Sequence, residues 1–176
     1  MTVTITATTC PAIGPISTPY GFNIADYPDV ANEGCGGLSR CHNGIDIAAN
    51  AGTLVKSPFD GTISTVSSDS FKGNYLVITS GDLAATFEHL GSIVKTQDSQ
   101  VTKGEVIGSV GSSGAVTGPV LHYKITKGGV LINPFRTLGN STTLHSSALT
   151  ASDDISQNNY SNIPAGSIAS WGDCNQ

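Results

Sequence analysis

Asn74-Tyr-Leu-Val-Ile-Thr79, Ser80-Gly81-Asp82 and Ala84-Ala-Thr-Phe-Glu-His-Leu90 make up the stretch whose reading decides the fold. Two runs rich in β-branched and aromatic residues flank a short turn signal, which is the signature of paired antiparallel strands. The same texture continues outward. Gly61-Thr-Ile-Ser-Thr-Val66 precedes this stretch, with Lys72-Gly73 between. Glu105-Val-Ile-Gly-Ser-Val110 and Val120-Leu-His-Tyr-Lys-Ile-Thr126 follow it, the last closed by Lys127-Gly128-Gly129. Short strands at this spacing predict an all-β fold, an antiparallel sandwich or barrel, and not βαβ units. No segment sustains a period of 3.6, so little helix is expected.

The 176 residues suit one domain with a substantial core and appended termini. Residues 1–17 carry two prolines and no charge and read as an extended N-terminal arm. The domain is expected over 18–138. Residues 139–176 hold no Lys or Arg and are rich in Ser, Thr and Asn, which predicts an irregular C-terminal tail. Ile155, Ile163, Ile168 and Trp171 give that tail apolar anchors, so partial order is expected.

Charged residues make up 12% of the chain, about half the usual share. A net charge of −5 argues against non-specific nucleic-acid binding, which needs clustered Lys and Arg. No apolar run approaches the ~20 residues of a membrane span. Met1-Thr-Val-Thr-Ile-Thr-Ala7 lacks the basic and apolar regions of a secretory signal. The expectation is an intracellular protein, or one exported or assembled without a cleaved signal.

Cys10, Cys35, Cys41 and Cys174 allow three disulfide connectivities. Cys35 and Cys41, with Gly36 and Gly37 between them, can close a small loop. Cys10 and Cys174 can then clamp the two termini. The alternative is four free thiols in a reducing cytoplasm; an oxidising final environment is favoured.

Two histidine signals stand apart from this background. His42-Asn-Gly-Ile-Asp46 spaces an imidazole and a carboxylate four residues apart, where a strand or a loop through Gly44 can bring them together. Val120-Leu-His122 lies in a strand-like run, where residues two apart share a face. His42, Asp46 and His122 make a plausible three-ligand zinc set, leaving a fourth position for water or substrate; taken alone, these residues read as readily as ordinary surface or core histidines. A histidine at position 120 would face the same space as His122. Valine there neither takes nor gives a proton. Tyr123 alternates to the other face and is expected in the core. His145, in the tail, reads as a surface histidine.

The run from Tyr20-Gly21 to Asn133-Pro134-Phe135 resembles the lysostaphin-type, or LytM-like, zinc endopeptidases of peptidoglycan. The resemblance rests on His42-Asn-Gly-Ile-Asp46, Gly52-Thr-Leu-Val55, Gly73-Asn-Tyr-Leu-Val-Ile78 and Phe87-Glu-His-Leu90. It continues through Val101-Thr-Lys-Gly104, Val106-Ile-Gly108, Gly111-Ser-Ser-Gly114, Thr117-Gly-Pro119, Leu121-His-Tyr123 and Asn133-Pro134. It implies the lysostaphin-type peptidase fold, with Zn2+ on His42, Asp46 and His122 and a peptidoglycan peptide as substrate. It also implies that His89 helps polarise the attacking water or stabilise the transition state. The family's second catalytic histidine falls on Val120 and is absent.

Three readings follow: a zinc-binding domain with cleavage impaired or lost, an active endopeptidase relying on His89, and a purely structural zinc module. Glu88, Lys124 and the tail are candidates to fill the space at Val120. The loops Gly111–Gly114 and Gly118-Pro119 either border the site or merely punctuate hairpins. The missing signal and the arms suggest a bacteriophage tail or virion, with phage structural proteins as partners of the arms. The expected location is virion or extracellular, cytoplasmic until release; a free wall hydrolase is the competing expectation.

Overall fold

The computed structural model describes residues 9–20, 42–138, 142–144 and 172–174. Among these residues the elements are β1 (Gly14–Thr18), β2 (Ile45–Ala48), β3 (Leu54–Lys56), β4 (Gly61–Asp69), β5 (Gly73–Ser80) and β6 (Leu83–Ile93). There follow β7 (Gln100–Val101), β8 (Val106–Val110), β9 (Val120–Lys127), β10 (Val130–Ile132), one helical turn α1 (Phe135–Leu138), β11 (Thr142–Leu144) and β12 (Gly172–Cys174). The strands run in the order β11-β12-β1-β2-β9-β6-β5-β4-β7 and pair antiparallel throughout, as the sequence predicts.

The stretch that opened the sequence reading becomes the β5–β6 hairpin. Ser80 pairs with Leu83 across a two-residue turn, in which Gly81 adopts φ 58°. β6 is eleven residues long and serves three ladders. Its first part lies between β5 and β9; beyond Leu90 it pairs with β8, which carries β3. Bulges in β6 mark the change of partner.

Strand alternation divides the β2–β9–β6 sheet into two faces. Ile45 and Ile47, Leu121, Tyr123 and Ile125, and Ala85 and Phe87 are fully buried on one face, with Leu76 and Ile78 of β5 in the same cluster. The Tyr123 and Phe87 rings lie 5.3 Å apart, so Tyr123 is a core residue as its alternation predicts. Each large apolar side chain buried here contributes roughly 1.5–3 kcal/mol. The opposite face carries Asp46, Ala48, Val120, His122, Lys124 and Glu88.

Parts of both expected arms are regular, not irregular. β1 crosses the expected arm boundary, pairing with β2 on one side and β12 on the other. An unpaired β2 edge would expose a row of backbone donors and acceptors, and β1 covers it. Ile16 anchors β1 in the core, and Gly14 lets it approach closely: a Cβ there would lie 2.2 Å from the Ala48 carbonyl oxygen. Within the tail, β12 also pairs with β11. A disulfide joins Cys10 to Cys174, both buried, so these two cysteines do clamp the termini. Cys35, Cys41, His145, Trp171 and the tail isoleucines lie outside the described residues.

Candidate metal centre and its cleft

β2 and β9 pair Asp46 with His122 directly, placing both side chains on the face away from the core. His42 precedes β2 and folds back through Gly44. The chain passes so close that a Cβ on Gly44 would sit 2.9 Å from the His122 ring and 2.5 Å from the Tyr123 carbonyl oxygen. Only glycine seats the His122 imidazole there. His42, Asp46 and His122 are 8%, 8% and 7% exposed, so the three polar groups converge largely out of solvent.

The donor atoms are Asp46 Oδ1, His42 Nε2 and His122 Nδ1. Asp46 Oδ1 lies 3.1 Å from His42 Nε2 and 2.8 Å from His122 Nδ1, and the two nitrogens are 3.1 Å apart. Ligands about 2.0 Å from one tetrahedral ion stand roughly 3.3 Å from each other, close to this triangle. The outer nitrogens settle the chemistry. His42 Nδ1 donates to the Pro19 carbonyl at 3.1 Å, and His122 Nε2 donates to Asn43 Oδ1 at 2.9 Å. In neutral rings the inner nitrogens then present lone pairs, alongside a carboxylate oxygen. Three acceptors within about 3 Å repel one another unless a cation or proton sits among them. The donor set therefore fits Zn2+.

Electrostatics agree. Burial alone would raise the Asp46 pKa, but the charge and hydrogen bonds of His42 and His122 outweigh it and hold the carboxyl well below its usual range. Burial disfavours the charged form of His122, yet the Asp46 hydrogen bond and charge, with Glu88, raise its pKa overall.

His89 reaches the site by a different route. Strict alternation would put it on the core face with Phe87. Instead β6 bulges between Phe87 and Leu90, which pair with Leu76 and Asn74 of β5. His89 adopts φ 64°, a left-handed conformation costly for a residue with a side chain. Its ring turns towards the metal face, 6.3 Å from the His122 ring between centroids. Bulges that re-aim a side chain are common beside active sites. His89 Nδ1 donates to the Ser113 carbonyl at 3.0 Å, which leaves Nε2 as the acceptor. Burial, the largest influence, lowers the His89 pKa despite that hydrogen bond.

Ser113 is itself fixed. Its hydroxyl donates to the Leu90 carbonyl and accepts from Asn74 N–H, and Gly73 and Gly114 pack backbone to backbone beside it. The Gly111–Gly114 segment thus borders the site and does more than punctuate a hairpin.

Val120 lies two residues before His122, on the same face. Its neighbours across the strands are Ala48 and Gly111, neither with a polar side chain. It borders an open cleft of about 420 Å³ walled by Ser17, Thr18, Ala48, the loop 115–119 and Asp46. Glu88 and Lys124 do not fill this space. They lie 3.8 Å from each other, Glu88 opposite His122 on β6 and Lys124 two residues further along β9; most of the tail lies outside the described residues. Sequence reasoning therefore gathered the ligands and His89 but missed Asn43, Pro19 and Ser113, which orient the three imidazoles. Asn43 sits inside the His42–Asp46 motif and Ser113 inside Gly111–Gly114; only that proximity hinted at them.

Residues 40–134 match the family described as peptidase family M23. The chain belongs to that family. M23 proteins are zinc metallopeptidases, and His42, Asp46 and His122 are the residues here that can hold the ion. The chain is 36% identical over 96 residues to the peptidoglycan DD-endopeptidase ShyA of Vibrio cholerae, covering 54% of this chain and 22% of ShyA. A zinc-containing peptidase from Vibrio cholerae superposes with a TM-score of 0.60 at 26% identity, over 72% of this chain and 37% of that one. The catalytic domain of the prophage-encoded M23 protein EnpA from Enterococcus faecalis, solved as a point mutant, superposes with a TM-score of 0.59 at 29% identity. That match covers 74% of this chain and 95% of the EnpA domain. The chain thus spans about a quarter or less of the length of ShyA.

Proposed function

We propose that the chain is a zinc-binding M23 domain that takes an extended peptidoglycan peptide into the cleft beside Val120 and cleaves it feebly or not at all. The observation carrying this reading is the apolar Val120, flanked by Ala48 and Gly111, beside an otherwise complete site. Zinc held by His42, Asp46 and His122 would acidify a water and polarise a peptide carbonyl. Orientation of the ligands falls to Pro19 and Asn43. His89 Nε2, its tautomer set by Ser113, can accept a proton or, once protonated, donate to a developing oxyanion. Among the described residues, Val120 and its neighbours Ala48 and Gly111 offer no such group on the other side of the reacting carbon. General acid–base help is worth ~10²–10⁴-fold and one oxyanion donor ~10²–10³-fold, so its loss lowers the rate by two to four orders of magnitude.

The cleft walls are short and, Asp46 apart, uncharged, which suits a peptide backbone with small side chains. A peptidoglycan substrate is supported by the likeness to ShyA. We place the protein in a phage particle or tail, with structural proteins bound to its terminal arms; the prophage origin of EnpA supports this. Its presence in purified virions, read by mass spectrometry, tests that placement.

The second reading is an active endopeptidase in which His89 suffices, favoured by the way Ser113 fixes that ring. Zinc content and hydrolysis of sacculi and cross-bridge peptides, measured on wild type and Val120→His, separate the readings. Stoichiometric zinc, negligible wild-type turnover and a gain on Val120→His support the impaired domain. Wild-type turnover abolished by His89→Ala establishes the active enzyme. Zinc with no turnover or peptide binding in either protein leaves a structural zinc module.

A further inference from the structure

Residues 9–20 and 172–174 lie outside the stretch that matches the family, yet Ser17, Thr18 and Pro19 among them reach the metal centre. The Pro19 carbonyl accepts from His42 Nδ1. Thr18 pairs in register with Asp46, and the Ser17 hydroxyl donates to the Asp46 carbonyl at 3.4 Å. Ser17 and Thr18 also wall the cleft. One short strand and the residue after it thus touch two of the three ligands.

Several contacts hold that strand in place. On its inner side Ile16 is buried, and the Pro11 carbonyl accepts from Lys56 N–H at 2.8 Å. On its outer side lies β12, only three residues long, matched through Gly14–Cys174 and Pro15–Asp173. The Cys10–Cys174 bond closes this outer pairing covalently.

We infer that the Cys10–Cys174 disulfide is a positioning element of the metal centre. By fastening β12 against β1 it keeps the Pro19 carbonyl on His42 and the Ser17–Thr18 wall on the cleft, so zinc affinity depends on its oxidation state. The inference rests on the proposed zinc site. The acceptor on a ligating histidine's outer nitrogen fixes ring and tautomer, and losing such a partner typically weakens metal binding ~10–100-fold. Coupling is reciprocal: zinc must make the disulfide harder to reduce.

The test compares zinc affinity, by chelator competition, in the oxidised full chain and in the double variant Cys10→Ser, Cys174→Ser. The variant should keep its β-sheet circular dichroism, bind zinc roughly 10–100-fold more weakly, and show an altered visible spectrum when loaded with Co2+. Ile78→Val, in the core on β5, should lower thermal stability but leave zinc affinity unchanged, which separates positioning from general weakening. A folded double variant that binds zinc as tightly as wild type overturns the inference. If the double variant does not fold, wild type itself decides. Two glutathione thiols convert the disulfide to two protein thiols and leave as glutathione disulfide. In a glutathione redox buffer the Cys10–Cys174 equilibrium should favour the disulfide about tenfold or more strongly in zinc-loaded than in zinc-free protein, and equal equilibria overturn the inference. Wild type that takes up no zinc overturns the metal-site reading and this inference together. Zinc binding indifferent to the disulfide overturns this inference alone.

Discussion

The two faces of β9 share one backbone and have opposite tolerances. Leu121, Tyr123 and Ile125 point into a close-packed core where each side chain is fully buried. Val120, His122 and Lys124 point the other way, into a polar site and its cleft. A change on the first face alters whether the sheet exists. A change on the second alters what the sheet does, because the fold does not depend on which group stands at position 120. Position 120 can therefore hold an apolar side chain, as it does in Val120, without that side chain entering the core.

Substitutions test this contrast. Tyr123→Ala should be the most damaging, destabilising by about 3–5 kcal/mol through the cavity beside Phe87, with denaturant unfolding as the measurement. Val120→His, on the opposite face, should leave stability within about 1 kcal/mol while raising peptide hydrolysis by ~10²–10⁴-fold. Equal loss of stability in both variants would show that the faces are not separable. Asn43→Ala removes the acceptor for His122 Nε2 and should weaken zinc binding ~10–100-fold with the fold intact, as read by chelator competition.

The smallest expected effect concerns pH. His122 has a raised folded pKa, so in metal-free protein its contribution to stability is present below the unfolded value near 6.5 and fades as pH rises through the folded value. Asp46, with a lowered pKa, contributes above its unfolded value of 3.8 and loses that contribution on acidification. Between pH 6 and 9 the metal-free Tm should therefore fall by a few degrees, about 2–4 °C per kcal/mol in a chain of this size. With zinc present the trend should reverse, because the ion needs the deprotonated ring. Scanning calorimetry with and without chelator reads both signs.

The sheet and its two-faced strands were legible because period-two alternation is strong in Val120–Thr126 and Asn74–Thr79. The ligand set was legible through its residue types and the family resemblance; that Asp46 and His122 fall opposite each other emerges only when β2 and β9 pair. His89 was not legible from alternation, which assigns it to the core with Phe87. The bulge that turns it outward arises where β6 pairs with β5 and was not legible; only the family resemblance pointed to His89. The arms looked irregular because Gly14, Pro15 and Pro19 are poor strand formers in isolation. Pairing with the β2 edge and the buried Ile16 override that preference. Pro19 and Asn43 carry no sequence signal as orienting groups, since one acts through its backbone and the other through a loop.

The contact of Gly73 with Gly114 has a consequence for how such a domain can diversify. Backbone lies directly on backbone there, so neither position accepts a side chain, and the Ser113 carbonyl arrives at His89 in a fixed place. Immediately downstream, residues 115–119 wall the cleft, and Ala115, Thr117 and Pro119 expose their side chains to solvent. Substitutions in that loop can reshape the cleft while the His89 ring keeps its place. Side chains are free to vary on one side of a glycine, and the seat of an imidazole is kept on the other.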